Sequence, residues 1–261
     1  MKLIDTHAHI YHNQFNDDIE QILETCFANG VERIYMPNID EASIPSMLQL
    51  HQKYPDHCFP MLGIHPCDVA EDTIQVLDRL RIKYREVIFK AVGETGLDLY
   101  WDKSKIELQI RSLNYHLQWA LDENLPIVLH TRDAMQETID IVKPYAEKGL
   151  KGIFHCFNGD LAQAQTITSF GFLLGIGGVL TFKNSGLDAV IKEIDINHLV
   201  LETDSPFLAP VPYRGKRNSP TYLPIIASKL AEIKNCTVAE IAIETSKNAF
   251  NLFESYPATK T

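Results

Sequence analysis

Leu3-Ile4-Asp5-Thr6-His7-Ala8-His9 opens the chain with a short apolar run that stops at two histidines one residue apart. A helical pattern follows over residues 15–29, where Phe15, Ile19, Ile22, Leu23 and Cys26 share one face and Gly30 supplies a C-terminal stop. This order of parts (apolar strand, polar strand end, amphipathic helix) recurs down the chain. Further strands are expected at 31–36, 58–64, 87–92, 127–129, 152–154, 172–176 and 199–201. Helices are expected at 44–54, 70–85, 103–123, 134–147, 161–169, 187–194, 222–233 and 238–253. Strands that alternate strictly with helices imply a parallel sheet. Eight such units in 261 residues give an α/β protein read as a single (β/α)8 TIM barrel, one domain over 1–261. The competing architecture is an open doubly wound sheet. It gains little support, because no GxGxxG turn occurs and Gly175-Ile176-Gly177-Gly178 lacks the third spaced glycine.

Composition narrows the class. Apolar and charged fractions are those of a soluble globular protein, and no apolar run approaches the ~20 residues a bilayer span needs. Lys2 is followed by only two apolar residues before Asp5, so no cleavable signal is read and a cytoplasmic location is expected. The five cysteines are scattered without a CxxC, which argues for reduced thiols over a disulfide framework or zinc ribbon. A net charge of −10 argues against non-specific coating of nucleic acid. It leaves room for an enzyme that captures one phosphate at a metal centre, where the ions are the largest local charges.

The chemistry lies at the ends of the strands. In an extended strand, residues i and i+2 share a face, so His7 and His9 aim two imidazoles at one point. Later strand ends carry Gly63-Ile64-His65-Pro66, Gly93-Glu94-Thr95-Gly96-Leu97-Asp98, His130-Thr131-Arg132-Asp133, His155-Cys156-Phe157 and Glu202-Thr203-Asp204-Ser205-Pro206. Barrel active sites lie at this face, built from several strands. His7, His9, Glu94, His130, His155 and Asp204 therefore converge, with His65 nearby. Four imidazoles and two carboxylates suit two divalent ions bridged by a carboxylate. Any one of these histidines alone reads more readily as a structural strand end; the recurrence at successive strands carries the metal reading. His12, His51, His57, His116 and His198 fall in loops, in helices or at strand starts and receive no role.

These blocks, in this order, resemble the TatD family of metal-dependent deoxyribonucleases, within the amidohydrolase-like superfamily. Pro212-Tyr213-Arg214-Gly215-Lys216-Arg217-Asn218 and Asn248-Ala249-Phe250 carry the resemblance nearly to the C-terminus. The resemblance implies that His7, His9 and Asp204 hold one metal, that His130 and His155 hold the second, and that Glu94 bridges both. Many related amidohydrolases place a carboxylated lysine where Glu94 stands. The ions implied are magnesium, manganese or zinc; imidazole-rich ligation favours zinc or manganese, while magnesium is the family's usual assay ion.

The expected function is hydrolysis of DNA phosphodiester bonds, from exposed single-stranded ends, by a metal-bridging hydroxide. Asp204 is the candidate to take the water's proton. His65 is read either as a hydrogen-bond partner of the phosphate or leaving oxygen, or as a loop-ordering residue before Pro66. Glu202 is read as orienting a metal-bound histidine, or as serving a loop amide. Arg214, Lys216 and Arg217 form one basic patch after the last strand, read as a grip on flanking phosphates or as a solvated loop. Tyr100-Trp101 is read as a rim closure or a base-stacking pair, and Arg132 as meeting either a phosphate or Asp133. DNA is the expected partner, with no membrane and no obligatory protein. The alternative function is metal-dependent hydrolysis of a small ester, lactone, amide or phosphoester; a non-catalytic metal-binding scaffold is the reading from another class.

Overall fold

The alternation in the sequence is realised as a ring of parallel strands wrapped by helices. The computed structural model describes residues 2–254. The strands are β1 (Leu3–Asp5), β2 (Val31–Pro37), β3 (Cys58–Met61), β4 (Val92–Asp98), β5 (Ile127–Arg132), β6 (Gly152–Phe154), β7 (Leu173–Ile176) and β8 (Leu199–Leu201). The helices are α1 (Ile19–Ala28), α2 (Ile44–Lys53), α3 (Thr73–Lys83), α4 (Ile106–Asp122), α5 (Met135–Ala146), α6 (Leu161–Ser169), α7 (Leu187–Glu193), α8 (Leu223–Lys234) and α9 (Val238–Glu254). Regular pairing gives two parallel sheets, β1–β3 and β4–β8. Two seams join them. At one, Lys90 N–H donates to Pro60 O and Gly93 N–H to Leu62 O; at the other, Thr6 N–H donates to Leu201 O and His9 N–H to Ser205 O. The ring is thereby closed into a (β/α)8 barrel without free strand edges.

Two apolar cores follow from the two faces of each strand. Inside the ring, Ile4, Tyr35, Phe59, Met61, Ala91, Val128, Ile153 and Val200 pack together. The end of α9 plugs this interior from below with Ala249, Leu252 and Phe253, whose ring stacks on Tyr35 at 3.8 Å. Outside the ring, helices bury one stripe against the sheet; α5 does so with Met135, Ile139, Val142 and Ala146, at the three- and four-residue spacing of one helix face. Among the described residues, no helix is long and apolar enough to cross a membrane.

One strand departs from expectation in a way that positions the site. Most of the apolar run at 87–92 is not strand; its end meets residues 60–62 through Lys90 N–H to Pro60 O and Leu62 N–H to Ala91 O, and β4 itself begins at Val92. Gly93-Glu94-Thr95-Gly96, expected only as the end of the strand, forms the body of β4, every residue of which is buried. The register shifts between Val92 and Thr95. Gly96 makes this path possible: its φ is +147°, and a Cβ there would stand 2.0 Å from His130 O. The irregular strand brings Glu94 inward beside His130.

Candidate metal centre

His7 and His9 lie just past β1, after a bend at Thr6. Asp5 Oδ1 accepts the His7 N–H at 3.2 Å, which sets that bend. The chain then runs extended because both neighbours hold it: Ala8 N–H donates to Tyr35 O, and Asp204 N–H donates to His7 O at 2.9 Å. Asp5 also accepts the Thr203 hydroxyl at 2.6 Å and the Thr203 N–H at 3.0 Å, tying the end of β1 to that of β8. Burial pushes its carboxyl up to about 8, against those hydrogen bonds.

Glu94 is the hub. Its Oε2 lies 3.1 Å from His7 Nε2 and 3.4 Å from His9 Nε2. Its Oε1 lies 3.0 Å from His130 Nδ1 and 3.1 Å from His155 Nε2. Asp204 Oδ1 stands 3.7 Å from both His7 Nε2 and His9 Nε2. The rings of His7 and His155 stack at 3.7 Å. Thus one carboxylate divides its two oxygens between two pairs of imidazoles. Burial alone raises the Glu94 carboxyl, but His7, His155, His65 and the hydrogen bond from His130 outweigh it and hold the group well below the ordinary range. Burial, then the charge of His155, holds His7 well below the usual imidazole value. For His155, burial is overcome by Glu94 and Glu202, and its value is raised.

The remote ring nitrogens decide which way each lone pair points. Tyr11 Oη donates to Pro37 O at 2.5 Å, so it receives the proton on His9 Nδ1 at 2.9 Å. His155 Nδ1 faces Glu202 Oε1 at 3.2 Å, and His130 Nε2 faces Asp98 Oδ2 at 3.0 Å. Carboxylates only accept, so these nitrogens carry protons; in the neutral rings that a cation would bind, the opposite nitrogens face inward with free lone pairs. His9, His155 and His130 thereby present lone pairs to the point that Glu94 and Asp204 also face. His7 Nε2 and His9 Nε2 are 3.2 Å apart. Convergent imidazole lone pairs and carboxylate oxygens form a donor set that fits divalent cations. The groups His7–His9–Glu94, His7–His155–Asp204 and His65–Glu94–His130 each have ligand atoms within 4.8 Å of one another.

His65 has the opposite polarity. Its Nδ1 accepts the Cys67 N–H at 3.1 Å, capping the short turn Pro66–Asp68. A neutral His65 therefore carries its proton on Nε2, which lies 3.4 Å from His130 Nδ1 and 3.7 Å from Glu94 Oε1. Burial lowers its pKa to about 3, so the neutral form prevails near pH 7. One ring nitrogen thus orders the loop, and the other faces His130 and Glu94.

Glu202 likewise serves both of its expected partners. Its Oε1 accepts from His155 Nδ1 and from the Cys156 N–H at 2.6 Å. Its Oε2 is buried without a hydrogen-bond partner among the described residues. The carboxylate rests on Gly175, where a Cβ would come within 2.2 Å of Oε2. Asp133, Cys156, Asp204 and Leu208, all near strand ends at this mouth, have φ between 47° and 56°. Such conformations are uncommon for residues other than glycine, and they cluster at functional sites.

The basic loop divides. Arg217 is committed to Asp18, with Nη1–Oδ1 at 3.0 Å and Nη2–Oδ2 at 2.5 Å, and it also donates to Gln14 O. Arg214 is exposed with its guanidinium 4.4 Å above Phe182, and Lys216 is exposed. The sequence reading assigned no part to Asp98, Tyr11, Gly175 or His116. Asp98 stands inside a quoted motif and Tyr11 is two residues from His9, but only proximity reveals what they hold. His116, set aside as a non-ligand, lies behind the site: Nδ1–H donates to Ser112 O at 2.7 Å and Nε2 accepts the Ile64 N–H at 3.1 Å.

Comparison with known proteins follows this geometry. The sequence model of a family described as TatD related DNase matches residues 4–254. The chain belongs to that family. A relative in Bacillus subtilis, named uncharacterized metal-dependent hydrolase YabD, is 38% identical over 252 residues, covering 96% of this chain and 98% of the relative. A protein of Erwinia tasmaniensis named 3'-5' ssDNA/RNA exonuclease TatD is 29% identical over 257 residues, covering 96% and 99%. The crystal structure of YjjV, a TatD homologue of Escherichia coli, superposes with a TM-score of 0.89 at 28% identity over 97% of this chain and 98% of that one. Membership makes this protein a metal-dependent hydrolase, the class to which the donor set belongs.

Proposed function

We propose that the protein hydrolyses phosphodiester bonds at exposed single-stranded ends of DNA. The observation that carries the reading is the division of Glu94 between His7 and His9 on one oxygen and His130 and His155 on the other. In this reading His7, His9 and Asp204 would hold one ion and His130 and His155 another, with Glu94 placed to serve both sets. Divalent ions bound there lower the pKa of water and offset charge on a phosphate oxygen. Asp204 takes the proton of the attacking water, standing 3.7 Å from both His7 Nε2 and His9 Nε2. His65 Nε2–H, fixed by the Cys67 amide on its other nitrogen, donates to the departing oxygen. Glu202, Asp98 and Tyr11 keep the inward nitrogens of His155, His130 and His9 unprotonated. Arg214 and Lys216 reach flanking phosphates, and Arg217 anchors their loop to Asp18.

The relative named as an ssDNA/RNA exonuclease supports this substrate class and places RNA in the test. End-labelled single- and double-stranded DNA, single-stranded RNA and a panel of lactones and small esters are to be incubated with magnesium, manganese or zinc. Stepwise shortening of single-stranded DNA is expected. Lactone or ester turnover without shortening of any nucleic acid would overturn the proposal.

A further inference from the structure

The turn after β4 and the end of β5 carry a second constellation. Trp101 is 69% exposed and Tyr100 54% exposed, and their rings meet edge to face at 4.9 Å. Arg132, two residues beyond His130, lays its guanidinium 3.8 Å from the Tyr100 ring centroid and 5.3 Å from that of Trp101. The group is not a loose rim. Asp98 pairs in register with Arg132, and Leu99 N–H donates to Arg132 O at 2.9 Å. Asp98 Oδ1 accepts the Tyr100 N–H at 3.0 Å and the Trp101 N–H at 3.3 Å, while Oδ2 of the same carboxylate holds His130. One side chain thus fixes the aromatic pair to the ladder that carries the metal-facing groups. So large an exposed aromatic area is costly to leave in water unless something covers it.

We infer that Tyr100, Trp101 and Arg132 form a nucleotide subsite beside the centre. It takes an unpaired base against the aromatic rings and a phosphate oxygen on the guanidinium. The inference rests on the phosphodiesterase reading and adds what selects unpaired ends. A base within a duplex is stacked on its neighbours and has no free face to offer, whereas any unpaired base does. Arg132 supplies charge of the sign a phosphate needs, in a protein whose net charge is −10.

Trp101 is its own reporter, since the other tryptophan, Trp119, is buried. Metal-loaded wild-type protein is to be titrated with a cleavage-resistant phosphorothioate oligothymidylate and with the same strand carrying abasic terminal residues. Quenching of Trp101 fluorescence by the first strand is expected. Trp101→Leu and Tyr100→Leu, followed by a fluorophore on the strand, are each expected to weaken binding about 5- to 100-fold. The abasic ends should cost the parent protein the same and cost Trp101→Leu nothing more. Wild-type protein that shortens DNA, with no quenching and with variants binding as the parent does, would overturn the subsite alone. Wild-type protein that neither binds nor shortens any oligonucleotide would overturn both readings. Unchanged thermal unfolding of the variants checks that the exposed substitutions leave the fold intact.

Discussion

Gly175→Ala reaches the metal centre chiefly through Glu202, without replacing any residue proposed to bind metal. A Cβ at 175 would lie 2.2 Å from Glu202 Oε2, 2.8 Å from its Cδ and 3.0 Å from His155 Cα. Glu202 is fully buried, so its carboxylate has no open space to enter, and it must retreat by about an ångström to reach ordinary contact. That movement stretches its bonds to the Cys156 N–H and His155 Nδ1, now at 2.6 and 3.2 Å. Loss of an outer partner of a metal-binding histidine typically lowers metal affinity 10–100-fold, or about 1.4–2.7 kcal/mol. The unpaired Cys156 amide adds about 1–3 kcal/mol of destabilisation. Competition with a chromophoric chelator measures the first quantity and urea unfolding of the metal-free protein the second. Glu202→Gln should lose metal affinity as well, and the double variant should lose less than the two single losses together, because both act through one carboxylate. Metal affinity within twofold of wild type in Gly175→Ala would refute the argument that this glycine seats Glu202.

Asp204→Asn is expected to lower nucleic-acid hydrolysis by at least ~10²-fold while the secondary structure, read by circular dichroism, stays that of wild type. His65→Gln should slow cleavage of DNA about 10²-fold but spare substrates with a p-nitrophenolate leaving group, which departs with little need of a hydrogen bond; equal losses on both would remove His65 from that role. Lys216→Met should reduce the salt dependence of single-strand binding by roughly 0.7 in log–log slope, whereas Arg217→Met should leave the slope unchanged. A double-mutant cycle on the half-exposed Arg217–Asp18 pair should return about 0.2–1 kcal/mol. His116 predicts a pH dependence of stability. Burial lowers its pKa to about 4 from an unfolded value near 6.5, so the unfolded chain takes the proton first as pH falls. Its contribution is complete above pH 6.5 and is lost between 6.5 and 4, about 3 kcal/mol in all. Denaturant unfolding at pH 7.5 and 4.5 should fall less steeply in His116→Gln than in wild type by about that amount.

The barrel is legible in the sequence because hydrophobic periodicity reports burial, and strand–helix alternation leaves few architectures open. The convergence of His7, Glu94, His130, His155 and Asp204 follows from the same reading, since every parallel strand ends at one face. What escapes is whatever depends on contact. Gly93-Glu94-Thr95-Gly96 falls past the expected strand because a strand is recognised by apolar side chains, and here the neighbouring backbone takes their place. His7 and His9 lie beyond the strand proper, and their shared aim comes from hydrogen bonds to Tyr35, Asp204 and Ser205 that no local pattern records. Asp98, Tyr11 and Gly175 act only through the histidines or the carboxylate they support. Arg217 reads as one more free cation, until Asp18 is found against it nearly two hundred residues away in sequence.

His7 and His9 belong to the first ten residues, Asp204 follows the last strand, and each holds the other's backbone across the seam between β1 and β8. A nascent chain emerging from the ribosome therefore carries its opening histidines for most of synthesis with nothing to complete them. A complete set of metal-facing side chains would arise only in the finished molecule, so a partly translated copy would carry no working hydrolase.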